Sequence, residues 1–158
     1  MKLILIIVLV VIIIVIAKGV ANQYKERHNF FATIMNFLNS YELNIGFKKD
    51  KIKTLVEKLK TNSQSKILFD EYINYLKHDT TLYFENIKVI SEEERVFLID
   101  MFSKLGTNDY SNEMAQLKVF KDYIQEKITK SENESNKNYP LIMKLSFLFS
   151  LGMALVFI

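Results

Sequence analysis

The sequence predicts an all-α protein: a compact bundle of about six helices flanked by one transmembrane helix at each end. Apolar residues recur at helical spacing through the middle of the chain, and no alternating strand pattern competes with them. The 158 residues include only one proline and four glycines, so few positions interrupt a helix. Both ends, in contrast, are continuously apolar, which predicts membrane segments.

The two apolar ends have the length that a bilayer requires. Lys18 is the only charged residue in 3–21, and Lys144 is the only one in 141–158. At roughly 1.5 Å per residue, each helix would reach about 27 to 29 Å, close to the ~30 Å hydrocarbon core. We therefore predict an N-terminal transmembrane helix at 1–21, a helical-bundle domain at 22–139 and a C-terminal transmembrane helix at 140–158.

A cleaved secretory signal is the alternative for the first segment. A positively charged start, a run of apolar residues and the small residues Gly19 and Ala21 resemble a signal with cleavage after Ala21. Lys18 opposes this reading, because it places a charge between the apolar run and the cleavage site. The sequence therefore favours an uncleaved anchor.

Basic residues near the membrane ends predict the orientation of the bundle. Lys2 is the only basic side chain on the outer side of either segment. Seven lie on the side of the bundle or just inside a segment: Lys18, Lys25, Arg27, Lys127, Lys130, Lys137 and Lys144. The bundle is therefore predicted to be cytoplasmic, at the cell membrane, with both termini across it.

Charge also bears on the partners. Lys and Arg total 21 and Asp and Glu total 18, but Lys2, Lys18 and Lys144 belong to the end segments. The middle of the chain therefore carries equal numbers of basic and acidic residues, which predicts no nucleic-acid partner.

Local signals place the helices of the bundle. Ser91 and Glu94 form a capping-box pattern that predicts a helix from Glu92 to a stop at Gly106. Asp50 is the predicted cap of an earlier helix, and Thr80 or Thr81 is the predicted start of a short one containing residues 83–87. The remaining predictions are a first helix along 30–45 ending at Gly46, a third at 67–76, a last helix capped by Asp109 or Ser111, a polar arm at 129–138, and Pro140 at the entry to the second anchor.

The residues give little support for catalysis. The chain has no cysteine and only two histidines, His28 and His78, and it has no glycine-rich phosphate loop. We therefore predict a non-enzymatic protein without a cofactor or metal. A membrane-anchored helical protein that binds a lipid or small ligand is the alternative function.

Two sets of residues are candidate interaction sites. Small residues at spacings of four permit close helix contact in lipid, and basic residues at a membrane surface attract anionic headgroups. The predicted transmembrane packing residues are Ser146, Ser150, Gly152 and Ala154. The predicted membrane-surface contacts, with anionic lipid headgroups as partners, are Lys18, Tyr24, Lys25, Arg27, Lys137 and Lys144.

Three stretches together resemble a known family: 24–27 (Tyr-Lys-Glu-Arg), 105–109 (Leu-Gly-Thr-Asn-Asp) and 152–156 (Gly-Met-Ala-Leu-Val). In this order, and with these anchors, the chain resembles the stage III sporulation protein AB family of spore-forming Firmicutes. Asn108 departs from the small hydroxyl residue usual before the corner aspartate. The arm before the second anchor departs as well, being rich in Ser and Asn.

The resemblance implies a fold, a role and partners. The fold is a six-helix cytoplasmic domain similar to those of type II secretion and type IV pilus platform proteins. The role is in the channel between mother cell and forespore during engulfment, in the mother-cell membrane. The partners are the cytoplasmic ATPase of that apparatus, stage III sporulation protein AA, and other membrane components of the channel. Leu105, Gly106 and Asp109 are candidate docking residues, with a helix stop and a helix cap as the alternative reading.

Overall fold

The computed structural model describes residues 2–43, 49–59 and 61–157, and the side chains of 7–43, 52–59, 61–153 and 155. These ranges form five helices and contain no strand, which confirms the all-α class. The helices are α1 (Lys2–Glu42), α2 (Lys49–Glu57), α3 (Ser63–His78), α4 (Glu92–Lys104) and α5 (Tyr110–Phe157).

The chain divides into two compact units. The terminal unit combines Met1–His28 with Thr129–Ile158, and the central unit is Asn29–Ile128. The polar stretches 22–28 and 129–139 fall in the terminal unit, and the predicted domain boundaries after residues 21 and 139 stay predictions. Because α1 and α5 each begin in one unit and continue into the other, two helical connections join the units.

The first and last predicted bundle helices are continuous with the end segments. The sequence treated 1–21 and 30–45 as separate helices, but α1 runs without a break through Glu42. Likewise α5 includes the polar arm 129–138, and Pro140 lies inside it rather than at the start of a new helix. Pro140 has no N–H to donate to the carbonyl four residues earlier, so one helical hydrogen bond is missing at this point.

An aromatic core holds the central unit together. The ring of Phe37 on α1 lies 5.3 Å from that of Phe69 on α3 and 5.7 Å from that of Phe102 on α4, between ring centroids. Tyr72 lies 4.6 Å from Phe102, and all four side chains are almost fully buried. Two of these pairs are tilted and the Phe37–Phe102 pair is stacked, and aromatic pairs add about 0.5 to 1.5 kcal/mol each beyond the burial of their surface. Three helices therefore meet at one cluster.

Side-chain caps fix where the middle helices begin. The Ser91 hydroxyl accepts a hydrogen bond from the Glu94 N–H at 3.3 Å, and the Glu94 carboxylate accepts one from the Ser91 N–H at 2.9 Å. The predicted start of α4 at Glu92 is thus confirmed. Asn62 and Ser65 form the same reciprocal pair at the start of α3, which begins at Ser63, four residues before the predicted third helix at 67–76.

The short helix predicted from Thr80 or Thr81 does not form. Residues 79–91 are an irregular segment, so the expected count of six helices is wrong for the described part of the chain. The Glu71 carboxylate accepts hydrogen bonds from the N–H groups of Tyr83 (2.6 Å) and Phe84 (2.9 Å). These bonds satisfy the backbone without a helix, while Leu82, Phe84 and Ile87 are buried in the core.

Two further predictions concern the region before α3. Helix α2 begins at Lys49, so Asp50 lies in its first turn instead of capping it, and Ile52 and Val56 form its buried face. Gly46, the predicted stop of the first bundle helix, lies outside the described residues.

Candidate functional site

The corner between α4 and α5, residues 105–109, is the first candidate site. Helix α4 ends at Lys104, and Gly106 then adopts a positive φ of 79° that side-chain-bearing residues rarely adopt. A Cβ there would meet Ile52 and Tyr41 only at ordinary contact distances of 3.6 and 3.7 Å. Glycine is therefore required by the backbone conformation and not by lack of space, and the predicted stop at Gly106 is confirmed.

Glu113, in the first turn of α5, stabilises this corner. The residue is 4% exposed, and its carboxylate accepts hydrogen bonds through Oε1 from the Gly106 N–H (2.9 Å) and the Tyr41 hydroxyl (2.7 Å). Burial raises the pKa of Tyr41, and the hydrogen bond to Glu113 raises it further. One buried oxygen thus joins the corner to helices α1 and α5 of the central unit.

Sequence reasoning missed Glu113. A local signal was available, since an acidic residue in the first turn of a helix is favoured by the helix dipole. That signal explains a surface glutamate equally well, and Tyr41 lies 72 residues earlier in the chain. The pattern of the sequence therefore does not reveal that Glu113 is buried.

Asp109 caps α5 and remains exposed. Its Oδ1 accepts a hydrogen bond from the Asn112 N–H at 2.9 Å, and its Oδ2 accepts one from the Asn112 side-chain amide at 3.0 Å. Of the two predicted caps, Asp109 and not Ser111 is therefore the correct one. Asn108 beside it donates to the Gln116 side chain at 3.0 Å.

The outer surface of the corner is polar with one exposed aromatic ring. Tyr110 is 68% exposed, next to the exposed Asp109, and Gly106 is also exposed. Leu105, the third predicted docking residue, is buried in the core, so its side chain is not accessible to a partner. The arrangement can present Asp109 and Tyr110 to a partner on a backbone fixed by Gly106 and Glu113.

The terminal unit exposes large apolar side chains on both of its helical segments. Val15 and Ile16 on α1 are 63% and 62% exposed, as are Phe147 and Phe149 on α5 at 62% and 61%. Among the described helices, only α1 is long and apolar enough to cross a membrane by length and composition. The described part of the second predicted transmembrane helix, 140–158, does not meet this criterion.

Small residues form the buried side of the terminal unit. Ala17 and Ala21 on α1 and Ser146 and Ser150 on α5 are buried. Both serine hydroxyls bond within their own helix: Ser146 donates to the Met143 carbonyl at 2.9 Å, and Ser150 donates to the Ser146 carbonyl at 2.8 Å. Buried residues of this size permit close helix contact without an unsatisfied hydroxyl.

The other two predicted packing residues do not add to this buried side. Gly152 is exposed, and a Cβ there would meet no atom within 4 Å, so it makes no close contact inside the chain and its packing role stays a prediction. The side chain of Ala154 lies outside the described residues.

The predicted membrane-surface residues differ in exposure. Lys18, Lys25, Lys137 and Lys144 are exposed, whereas Tyr24 and Arg27 are half-buried. The Lys25 ammonium lies 4.0 Å from the centroid of the Tyr139 ring, in a cation–π contact between the two segments of the terminal unit. Tyr139 was not among the predicted residues.

These features define a small all-α protein with an apolar N-terminal helix that can cross a membrane and a compact central helical unit. The family model for stage III sporulation protein AB matches residues 2–158. The chain therefore belongs to the stage III sporulation protein AB family, which confirms the resemblance in the sequence. Searches of curated proteins and of solved structures gave no match.

Proposed function

We propose that this sporulation protein is a non-enzymatic platform in the mother-cell membrane, within the secretion-like channel between mother cell and forespore. In this role it docks the cytoplasmic ATPase of the apparatus, stage III sporulation protein AA, and contacts other membrane components of the channel. Membership of a stage III sporulation family supports the sporulation role. The exposed corner at Asp109 and Tyr110 is the single observation that carries the docking role.

Both apolar segments cross the membrane in this proposal, side by side and in opposite directions. The support is the exposure of large apolar side chains on both segments, including Leu148 and Leu155 on the second. Apolar surface costs about 25 cal/mol per Å² in water, and contact with lipid removes that cost. The excess of basic residues beside the segments supports a cytoplasmic central unit with both termini across the membrane.

Cysteine labelling tests this topology directly, because the chain contains no cysteine. Asn86 is an exposed residue of the central unit, so Asn86→Cys offers a single accessible thiol. We expect a membrane-impermeant maleimide to label Asn86→Cys only after the cells are permeabilised. Lys2→Cys is the matched control and should be labelled in intact cells. Labelling of Asn86→Cys in intact cells would show that the orientation is inverted.

The docking corner fits a partner that offers a hydrogen-bond donor or a cation to Asp109 and an apolar or cationic group to the Tyr110 ring. Aromatic residues are frequent anchors at protein interfaces, and truncating such an anchor costs 2 kcal/mol or more. The Asp109 carboxylate also caps α5, so a test of docking must keep the cap while removing the charge. Asparagine does so, since it caps helices as well as aspartate does.

Copurification of the ATPase with the full-length chain tests the corner. We expect Tyr110→Ala and Asp109→Asn each to lose ATPase while the thermal unfolding of the protein stays the same. Tyr83→Ala is the matched control: Tyr83 is 58% exposed in the irregular segment 79–91, and it should retain the ATPase. Retention of the ATPase by both corner variants would exclude docking at this corner. The alternative function, lipid or small-ligand binding by the helical domain, stays a prediction.

A further inference from the structure

The contact between Lys25 and Tyr139 lies at a defined level of the terminal unit. Lys25 follows the end of the first apolar segment by four residues, about 6 Å along a helix, and Tyr139 precedes Leu141 by about 3 Å. The headgroup layer on each side of a bilayer is about 5 to 7 Å thick. If both segments cross the membrane as proposed, the two side chains meet within this layer, where tyrosine rings and lysine ammonium groups are favoured.

Lys25 differs from the lysines that form ion pairs within the described residues, because an aromatic ring takes the place of the carboxylate. Lys53, Lys104, Lys121 and Lys127 each form an ion pair with a Glu or Asp. Lys25 makes no ion pair with a carboxylate in the described part of the chain, and it is exposed. The Tyr139 ring covers one side of the ammonium, so N–H groups on its other side remain available to an external acceptor.

We propose that Lys25 and Tyr139 form a clamp that binds the phosphate of an anionic phospholipid in the cytoplasmic leaflet. The cation–π contact holds the ammonium between the two helical segments, and the ammonium donates to the phosphate. Headgroup attraction was predicted for six residues together. The geometry selects Lys25 from that set and adds Tyr139. The inference rests on the proposed membrane insertion of both segments.

Native mass spectrometry of the full-length protein tests the clamp. The protein is released from micelles containing equal amounts of phosphatidylglycerol and phosphatidylcholine. The numbers of bound molecules of each lipid are then compared. We expect phosphatidylglycerol to be enriched on the wild-type chain and Lys25→Gln to reduce the enrichment about fivefold, the effect of one lysine near an anionic surface. Tyr139→Leu should also reduce it, whereas Tyr139→Phe retains the ring and should preserve it.

Two matched variants separate the clamp from general effects. Lys25→Arg keeps the charge and the cation–π contact and should preserve the enrichment. Lys118→Gln removes an exposed lysine from the central unit and should also leave the enrichment unchanged. Enrichment of phosphatidylglycerol on Lys25→Gln at the wild-type level would overturn the clamp. Loss of the bound lipid on addition of inorganic phosphate would also overturn it, because it would indicate a site for free phosphate.

Carbonate extraction of membranes distinguishes this failure from failure of the proposed function. A wild-type chain that stays in the membrane pellet but shows no preference for phosphatidylglycerol would exclude the clamp alone. A wild-type chain released by carbonate would exclude membrane insertion, and the clamp with it.

Discussion

Replacement of Glu113 by alanine tests the account of the corner most directly. The substitution removes the acceptor for the Tyr41 hydroxyl and the Gly106 N–H, which bond to the same oxygen at 2.7 and 2.9 Å. A buried donor left without a partner costs about 1 to 3 kcal/mol. The Tyr41 hydroxyl is buried, whereas Gly106 is exposed and the loss of its bond costs only about 0.5 to 1.5 kcal/mol, so we expect Glu113→Ala to destabilise the protein by about 2 to 4 kcal/mol.

The assay is urea unfolding of the full-length chain in detergent, followed by circular dichroism. Glu113→Gln is the control, since its side-chain oxygen can accept the same two hydrogen bonds and it should lose less stability than alanine. A cycle with Tyr41→Phe isolates the pair: the two substitutions together should cost less than the sum of their separate costs. A Glu113→Ala protein within about 0.5 kcal/mol of the wild type, the range of ordinary surface substitutions, would refute the argument.

Three further outcomes follow from the same structure. Gly106→Ala forces a side-chain-bearing residue to a φ of 79° and should cost about 1 to 2 kcal/mol in urea unfolding; no loss would show that the corner relaxes freely. Ser91→Ala removes one half of the capping box of α4 and should cost about 1 kcal/mol, whereas Ser91→Asp should retain most of the stability. The folded protein holds the pKa of Tyr41 above its ordinary value of about 10, so the stabilisation is present below pH 10 and is lost as the pH rises further. Tyr41→Phe should make this loss of stability shallower when unfolding is measured from pH 8 to 11.

Predictions from the sequence succeeded where the determining contacts are local. The start of α4 depends on Ser91 and Glu94, three residues apart, and the sequence contains both partners in the required order. The same holds for Asp109 and Asn112 at the start of α5 and for Gly106 at the end of α4. The apolar N-terminal segment was equally evident, since length and composition define it.

Predictions failed where distant residues satisfy the backbone. Tyr83, Phe84 and Ile87 have a spacing that fits a helix, but Glu71 and Gln64 on α3 accept backbone N–H groups of the segment and hold it in an irregular form. Pro140 was predicted at the entry to a new helix because proline is common in the first turn, yet it lies within α5, whose helix continues on both sides of it.

The candidate site was only partly predictable for the same reason. Gly106 and Asp109 are marked by local turn and cap signals. The role of Glu113 depends on Tyr41, a residue from another helix, and the Lys25–Tyr139 contact joins positions at opposite ends of the chain. Such pairs become visible only when the helices are assembled.

The irregular segment 79–91 has a consequence for the integrity of the chain. It separates a first portion that contains Phe37 and Phe69 from a second portion that contains Phe102, and these rings pack in one cluster. Each portion also carries one of the two apolar ends. A break in the peptide backbone within 79–91 would therefore yield two fragments that share a single core, and coexpression of 1–85 with 86–158 should reconstitute the protein from its halves.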